Sequence, residues 1–214
     1  MLIRYSGLEC CEIPYYLISM CLAQAKRVLV YDNTLTNALY TSCIAGDNNT
    51  VTRGNITVVK NGKFNPDFLE DFDITFVLNG MYRSEELPTR VDLEVINVNM
   101  ERPNIRALTK VIEHTGIEKS LERDFIVSDI VAKKVSVKTI EDMVGVTNAN
   151  EFTRPFDTSE YSKYVNMTQS GGTDLKNLNE YTMEYLMSFA VRYLGASEKT
   201  FKKDYVKVKG GTAW

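Results

Sequence analysis

The start of the chain constrains the fold more than any other stretch. A short apolar strand at residues 1–5 leads through the turn at 6–7 into a loop, and an apolar helical run follows at 13–25. A second apolar strand then covers 28–31 and ends at Asp32. Two parallel strands need a crossover connection, usually a helix, so this order predicts an α/β domain whose sheet is covered by helices.

Strands and helices continue to alternate along the rest of the chain. Strands are predicted at 56–60, 73–78, 91–98, 124–131 and 151–153, and helices at 35–45, 104–114, 136–144, 159–165 and 178–194. This pattern favours a three-layer α/β fold with a mostly parallel, doubly wound sheet. We expect one domain over residues 1–195, and a basic, disordered tail over 196–214, where five lysines are found.

Composition excludes several classes of function. The 214 residues carry a net charge of -3, so the whole chain gives no indication of nucleic-acid binding. A run of about 18 apolar residues, which a membrane span requires, is missing, and we expect a cytoplasmic protein. The spacing of the four cysteines and the single histidine predict no metal site and no catalytic triad.

The loop that connects the first strand to the first helix lacks the residues that bind phosphate. A phosphate-binding loop in this place needs several glycines, whose N–H groups approach the oxygens, and a lysine. Here the loop has a single glycine, no lysine and two acids, in the order Ser6, Gly7, Leu8, Glu9, Cys10, Cys11, Glu12. The acids would repel phosphate. The order strand, loop, helix, strand and acid is the one with which α/β nucleotide-binding domains begin. The scaffold therefore looks like that of an ATPase, while its phosphate chemistry looks absent.

The neighbouring thiols of Cys10 and Cys11 lie where this loop enters the helix. A helix N-terminus lowers the pKa of a thiol, whereas Glu9 and Glu12 oppose that effect. We therefore expect reduced, buried thiols, with a reactive thiol as the alternative.

Several segments, in their order and spacing, resemble the MinD/ParA class of P-loop ATPases. Residues 22–32 are similar to the helix and the second strand of that family, "GKRVLLID". Residues 72–77 are similar to its "YDYIIID" strand, and 91–108 to the strand and helix that follow its second switch. Residues 154–157 resemble its C-terminal "IPYD" region. The resemblance implies a P-loop-NTPase-like fold, and within the class we expect the chain to be most similar to the pilus-localisation (TadZ/CpaE-like) branch.

The chain departs from the family where ATP is bound. The family's phosphate loop, K-G-G-x-G-K-[ST], falls on residues 6–13, where only Gly7 matches. The carboxylate that ends the "YDYIIID" strand is replaced by Leu78, with Asn79 beside it. Asp32 matches the acidic residue after the second strand. The resemblance therefore implies a protein without ATPase activity, and we expect no cofactor; retained ATP and Mg²⁺ are the alternative.

Three polar residues at strand ends, Asp32, Asn33 and Asn79, are candidates for contact with a ligand or a partner. The alternative for Asp32 and Asn33 is an ordinary strand end followed by a helix cap. The leading hypothesis for function is a non-catalytic adaptor or positioning protein in a bacterial pilus, secretion or partition assembly. Its partners would be proteins, either a motor ATPase or a second copy, with Glu9 and Glu12 meeting a partner's Lys or Arg.

Two other functions are compatible with the sequence. The first is a protein of the same fold that binds nucleotide at a non-standard phosphate site. The second is a small-molecule enzyme that uses Cys10 or Cys11.

Overall fold

The computed structural model describes residues 1–9, 11–43, 48–81, 88, 90–115, 122–130, 136–210 and 212–213. Its main sheet has the strands β1 (Leu2–Gly7), β2 (Val28–Asn33), β3 (Thr50–Arg53), β4 (Ile56–Lys60), β5 (Ile74–Gly80), β6 (Leu93–Asn99), β7 (Glu122–Ile130) and β8 (Asn150–Pro155). They lie in the order β3-β4-β2-β5-β1-β6-β7-β8. Neighbouring strands are parallel except β3 and β4. The predicted fold class is confirmed, although the antiparallel edge strand β3 was not predicted.

Helices cover both faces of this sheet. They are α1 (Ile13–Ala23), α2 (Ala38–Cys43), α3 (Arg102–Thr115), α4 (Val137–Val144), α5 (Thr158–Ser170), α6 (Glu180–Tyr193) and α7 (Glu198–Val208), with a 3-10 helix at Pro66–Asp71. One apolar core joins the sheet to α1, α6 and α7, and a second joins it to α3 and α4. Residues 44–45, at the end of the helix predicted at 35–45, lie outside the described residues. The same is true of residue 131, at the end of the strand predicted at 124–131.

Local sequence signals set the boundaries of α4. The side chain of Ser136 accepts a hydrogen bond from the Thr139 N–H at the start of the helix. Gly145 ends it with a φ of 78°, a left-handed conformation that glycine adopts without steric cost. Serine is a preferred residue before the first turn of a helix and glycine after the last, so the local sequence accounts for both ends of α4.

The prediction of a disordered C-terminal tail is wrong for Glu198–Val208, which form α7. Ser197 caps this helix, and Phe201 and Val208 are buried in the core that contains α1. Apolar side chains at helical spacing make one face of α7 apolar, so the helix packs while its lysines remain exposed.

Residues 170–173 end one helix and form a short strand. Ser170 ends α5, and Gly171 caps it with a φ of 63°. Gly172–Thr173 then form the short strand β9, which pairs with β10 (Thr212–Ala213).

In the described part of the chain, none of the helices has the length and apolar character needed to cross a membrane.

Candidate functional site

The loop after β1 leaves the sheet at its carboxyl edge and leads into α1. Gly7 has a φ of 151°, and a Cβ at this position would lie 1.9 Å from the carbonyl oxygen of Asn97 in β6. The N–H of Leu8 donates to the same oxygen over 3.0 Å. Gly7 is therefore required by the close approach of two strands, which explains why this glycine is present in a loop without phosphate-binding residues.

Glu12, the residue that precedes α1, is ion-paired with Arg154 at the end of β8. The buried guanidinium of Arg154 also contacts Glu160 Oε2 at 2.8 Å and donates to Thr182 Oγ1 and Ser128 Oγ over 3.1 and 3.3 Å. A buried charge is tolerated only when it is paired in this way. The charge of Glu12 is thus balanced inside the molecule by Arg154, and a contact of Glu9 and Glu12 with a partner's Lys or Arg stays a prediction.

The carboxylates around Arg154 keep it charged. Burial by itself lowers the pKa of Arg154, but the carboxylates of Glu12 and Glu160 help to raise it above its ordinary value. Arg154 therefore stays charged despite its burial.

Glu9 joins the loop to two other segments of the carboxyl edge. Its Oε2 accepts a hydrogen bond from the Leu35 N–H over 3.0 Å. Its carboxylate lies against Gly80 at the end of β5, where a Cβ would stand 2.0 Å from Glu9 Oε1. Glu9 is therefore half-buried and holds the segment after β2 close to β5.

The thiol of Cys11 is buried at the start of α1, whereas Cys10 lies outside the described residues. Cys11 Sγ accepts hydrogen bonds from Asn97 Nδ2 at 3.0 Å and from the Ile13 N–H at 3.5 Å. Burial, together with the carboxylate of Glu12, raises the pKa of Cys11 to about 12. The protonated thiol predominates at neutral pH, so Cys11 lacks the activation that a nucleophile needs.

Asp32 is fully buried and organises the segment after β2. Its Oδ1 accepts from Thr34 Oγ1 over 2.6 Å, and its Oδ2 accepts from the Tyr40 N–H over 2.9 Å. Burial raises the pKa of Asp32 while the hydrogen bond from Thr34 opposes the rise. Oδ2 thus caps the first turn of α2, as in the helix-cap alternative, while Oδ1 holds the segment that precedes this helix.

Ser6, Asn33 and Asn79 form a polar row across three central strands. Ser6 and Asn33 are both in register with Asn79. Successive side chains of a strand point to opposite faces, so Asn33 and Asp32 lie on different sides of the sheet. Asn79 is fully buried, and neither side-chain polar atom has a hydrogen-bond partner among the described residues. The structure therefore brings Asn33 and Asn79 together but separates both from Asp32.

A cavity of about 130 Å³ opens beside the Glu12–Arg154 pair. It is lined by Leu8, Cys11, Glu12, Ser128, Asp129, Arg154, Phe156, Asp157 and Tyr161. The residues from β7, β8 and α5 were not among the sequence candidates. The sequence drew attention only to residues 154–157, and it did so because they resemble a region of the MinD/ParA family, not because they were expected to form a site.

The position of Asp129 depends on an irregularity in β7. The register between β7 and β8 shifts between Val127 and Ile130, and Asp129 has a φ of 54°. Such bulges re-aim side chains, often beside functional sites. Local sequence carries no signal for this bulge. Among the described residues, no group of three or more His, Cys, Asp or Glu could hold a metal ion.

No family model and no curated protein matches the sequence, but solved structures share its architecture. A chain of the MinC:MinD cell division protein complex from Aquifex aeolicus aligns with a TM-score of 0.60 and 17% identity, over 92% of this chain and 96% of that chain. The fold is that of the MinD/ParA ATPases.

Two further MinD/ParA structures agree with this assignment of the fold. The ParA family ATPase from Chlorobium tepidum TLS aligns with a TM-score of 0.56 and 11% identity, over 94% of this chain and 96% of that chain. MinD from Pyrococcus horikoshii OT3, complexed with Mg-ADP, aligns with a TM-score of 0.51 and 12% identity, over 92% of this chain and 98% of that one.

The residues at the first loop do not fit Mg-ATP in the manner of a phosphate loop. Gly7 packs directly against the backbone of Asn97. A phosphate in the loop after β1 would lie close to the carboxylates of Glu9 and Glu12. The loop offers no lysine to balance that charge. Arg154 is close, but two carboxylates already bind its guanidinium.

Proposed function

We propose that this chain is a non-catalytic MinD/ParA-like protein that acts as an adaptor or positioning protein in a bacterial assembly, such as a pilus, secretion or partition system. One observation carries the proposal: the anion at the start of α1 is the protein's own Glu12 carboxylate, bound by Arg154. A phosphate at the same place would add further negative charge beside Glu12 and Glu9. Charge repulsion in a partly buried site would cost several kcal/mol by an order-of-magnitude Coulomb estimate.

The surface of the carboxyl edge supports a role in protein binding. Leu35, Phe156 and Tyr161 are large side chains in segments at this edge, and each is at least half exposed. Exposed aromatic and aliphatic side chains of this kind are typical of protein interfaces. The Aquifex MinD fold was solved in a complex with MinC, and we extend to this chain the general capacity to bind a protein, whether a motor ATPase or a second copy.

The proposal is tested by thermal unfolding of the full chain with millimolar Mg-ATP, Mg-ADP or Mg-GTP, and with Mg²⁺ alone as the control. A ligand at ~100 times its Kd adds ~2.7 kcal/mol to the free energy of unfolding, which raises the Tm of a chain of this size by roughly 5–10 °C. We expect no shift for any nucleotide and no release of phosphate from ATP. A saturable shift would contradict the proposal.

One observation favours a second candidate, nucleotide binding at a non-standard site. The cavity beside α1 is lined by Arg154 and by the aromatic rings of Phe156 and Tyr161, which could contact a phosphate and a base. In that case a nucleotide-dependent rise in Tm would be lost in Tyr161→Ala, because this exposed side chain contributes to the cavity and not to the core.

A further inference from the structure

The cavity beside α1 has an excess of negative charge. Of the described residues that line it, Glu12, Asp129 and Asp157 are acidic and Arg154 is basic. Arg154 is already bound by Glu12 and by Glu160, which lies behind the cavity wall. Among the described lining residues, no second cation balances the charges of Asp129 and Asp157.

Neither of these two aspartates has an ion-pair partner among the described residues. Asp157 Oδ1 accepts from the Ser159 N–H over 2.8 Å, and its Oδ2 has a long contact of 3.5 Å with Asn179 Nδ2. Asp129 lies in the bulge of β7, and its side chain has no hydrogen bond to a described residue. Within the described part of the chain, two carboxylates of one cavity thus have no cation of the protein's own, and a cation from outside could pair with both.

Two aromatic rings border the same cavity. Phe156 and Tyr161 line it, and they are 50% and 54% exposed. A cation over an aromatic face is attracted by the electron density of the ring. A guanidinium combines this stacking with a planar fork of donors that matches carboxylates, which an ammonium group lacks.

We propose that this cavity receives an arginine side chain of a partner protein. The partner is a protein because exposed apolar side chains, Leu35 among them, lie at the same edge of the sheet, and because a nucleotide or another anion would enter a negative site. The statement that this partner belongs to a larger assembly rests on the proposed adaptor function. The arginine site itself does not rest on it.

The test uses the full chain and three probes, the N-acetyl, N-methylamide derivatives of arginine, lysine and citrulline. Citrulline has nearly the shape of arginine without its charge. Titration of the ¹⁵N-labelled protein should give saturable shifts at Ser128, Asp157 and Tyr161 with the arginine probe. Charge-assisted hydrogen bonds contribute about 1.5–3 kcal/mol, so the citrulline probe should bind at least about tenfold more weakly.

Two pairs of variants locate the site. Asp129→Asn with Asp157→Asn removes both charges while it keeps the cap of α5 and a residue type that tolerates positive φ. The control pair, Glu70→Gln with Asp71→Asn, removes two exposed charges from the 3-10 helix between β4 and β5. We expect the first pair to weaken binding of arginine at least about tenfold and the control pair to leave it unchanged.

Several results would overturn the arginine site. Among these are no saturable binding of the arginine probe, equal binding of citrulline, and unchanged binding in the folded Asp129/Asp157 variant. Self-association of the chain that is lost in Tyr161→Ala would assign the face to a second copy and would also overturn it. A nucleotide-dependent rise in Tm that persists in Tyr161→Ala would overturn the adaptor proposal alone, because the nucleotide would then bind outside the cavity. A rise that is lost in Tyr161→Ala would place the nucleotide in the cavity and overturn the arginine site as well, so the two failures are distinguishable.

Discussion

The guanidinium of Arg154 is ion-paired with the carboxylate of Glu12, 142 residues earlier in the chain. The pair connects the end of β8 to the start of α1, and Glu160 of α5 extends it at 2.8 Å. Three segments of the carboxyl edge are thereby held by one buried cation. The same contact places an anion of the protein where the resemblance to MinD/ParA ATPases would place a phosphate.

Arg154→Met should lower the free energy of unfolding by about 3–5 kcal/mol, because it leaves two buried carboxylates without a cation. Glu12→Gln should cost less, because Glu160 still pairs with Arg154. Urea unfolding of the two single variants and of the double variant gives the interaction free energy between Glu12 and Arg154. Arg106→Met, at an exposed position of α3, is the control and should change stability by less than about 0.5 kcal/mol. An Arg154 variant as stable as the control would contradict this account.

Gly7→Ala should cost at least about 4 kcal/mol or prevent folding, because its Cβ would collide with the Asn97 carbonyl at 1.9 Å. Both groups belong to paired strands and cannot move apart. Gly54 has a φ of 54° but no atom within 4 Å of a Cβ. Gly54→Ala should therefore cost only the ~1–2 kcal/mol of a left-handed backbone. Thermal unfolding measures the loss of stability in both variants. Equal losses in Gly7→Ala and Gly54→Ala would show that the collision with Asn97 does not determine the effect at Gly7.

The capping carboxylate of Asp157 should make stability depend on pH. A hydrogen bond from Ser159 lowers the pKa of Asp157 in the folded chain. The stabilisation is thus present above the ordinary aspartate pKa of about 3.9 and is lost as the pH falls through the lower, folded value.

Asp157→Ala should cost ~1 kcal/mol at neutral pH through loss of the cap, whereas Asp157→Asn keeps a capping side chain. Urea unfolding at several pH values should show wild type and the Asn variant converging as the pH falls below the folded pKa. A constant difference between them at every pH would show that the charge of Asp157 contributes nothing.

Phe201→Ala should lower the free energy of unfolding by about 3–5 kcal/mol, because Phe201 of α7 is buried in the core. Val206, on the same helix, is 58% exposed. Val206→Ala should change stability by no more than about 0.5 kcal/mol. Similar, small effects at both positions would mean that α7 is not packed on the core in solution.

Most of the architecture was predictable from the sequence alone. Apolar runs and helical periodicity indicated the order of strands and helices, and local caps such as Ser136 and Gly145 marked the ends of α4. These features depend on neighbours within a few residues, which the sequence displays directly. The missing glycines and lysine of the first loop are equally visible in the sequence.

The candidate site was predictable only in part. The sequence indicated Glu12 and Asp32, and a helix cap was its alternative for Asp32, but it did not indicate that Arg154 neutralises Glu12. It gave no sign that Asp129 enters a cavity or that α7 packs on the core. These features depend on contacts between residues far apart in the chain. Such contacts form only where the crossovers bring β1, β7 and β8 to one edge, and burial there decides which charges must be paired.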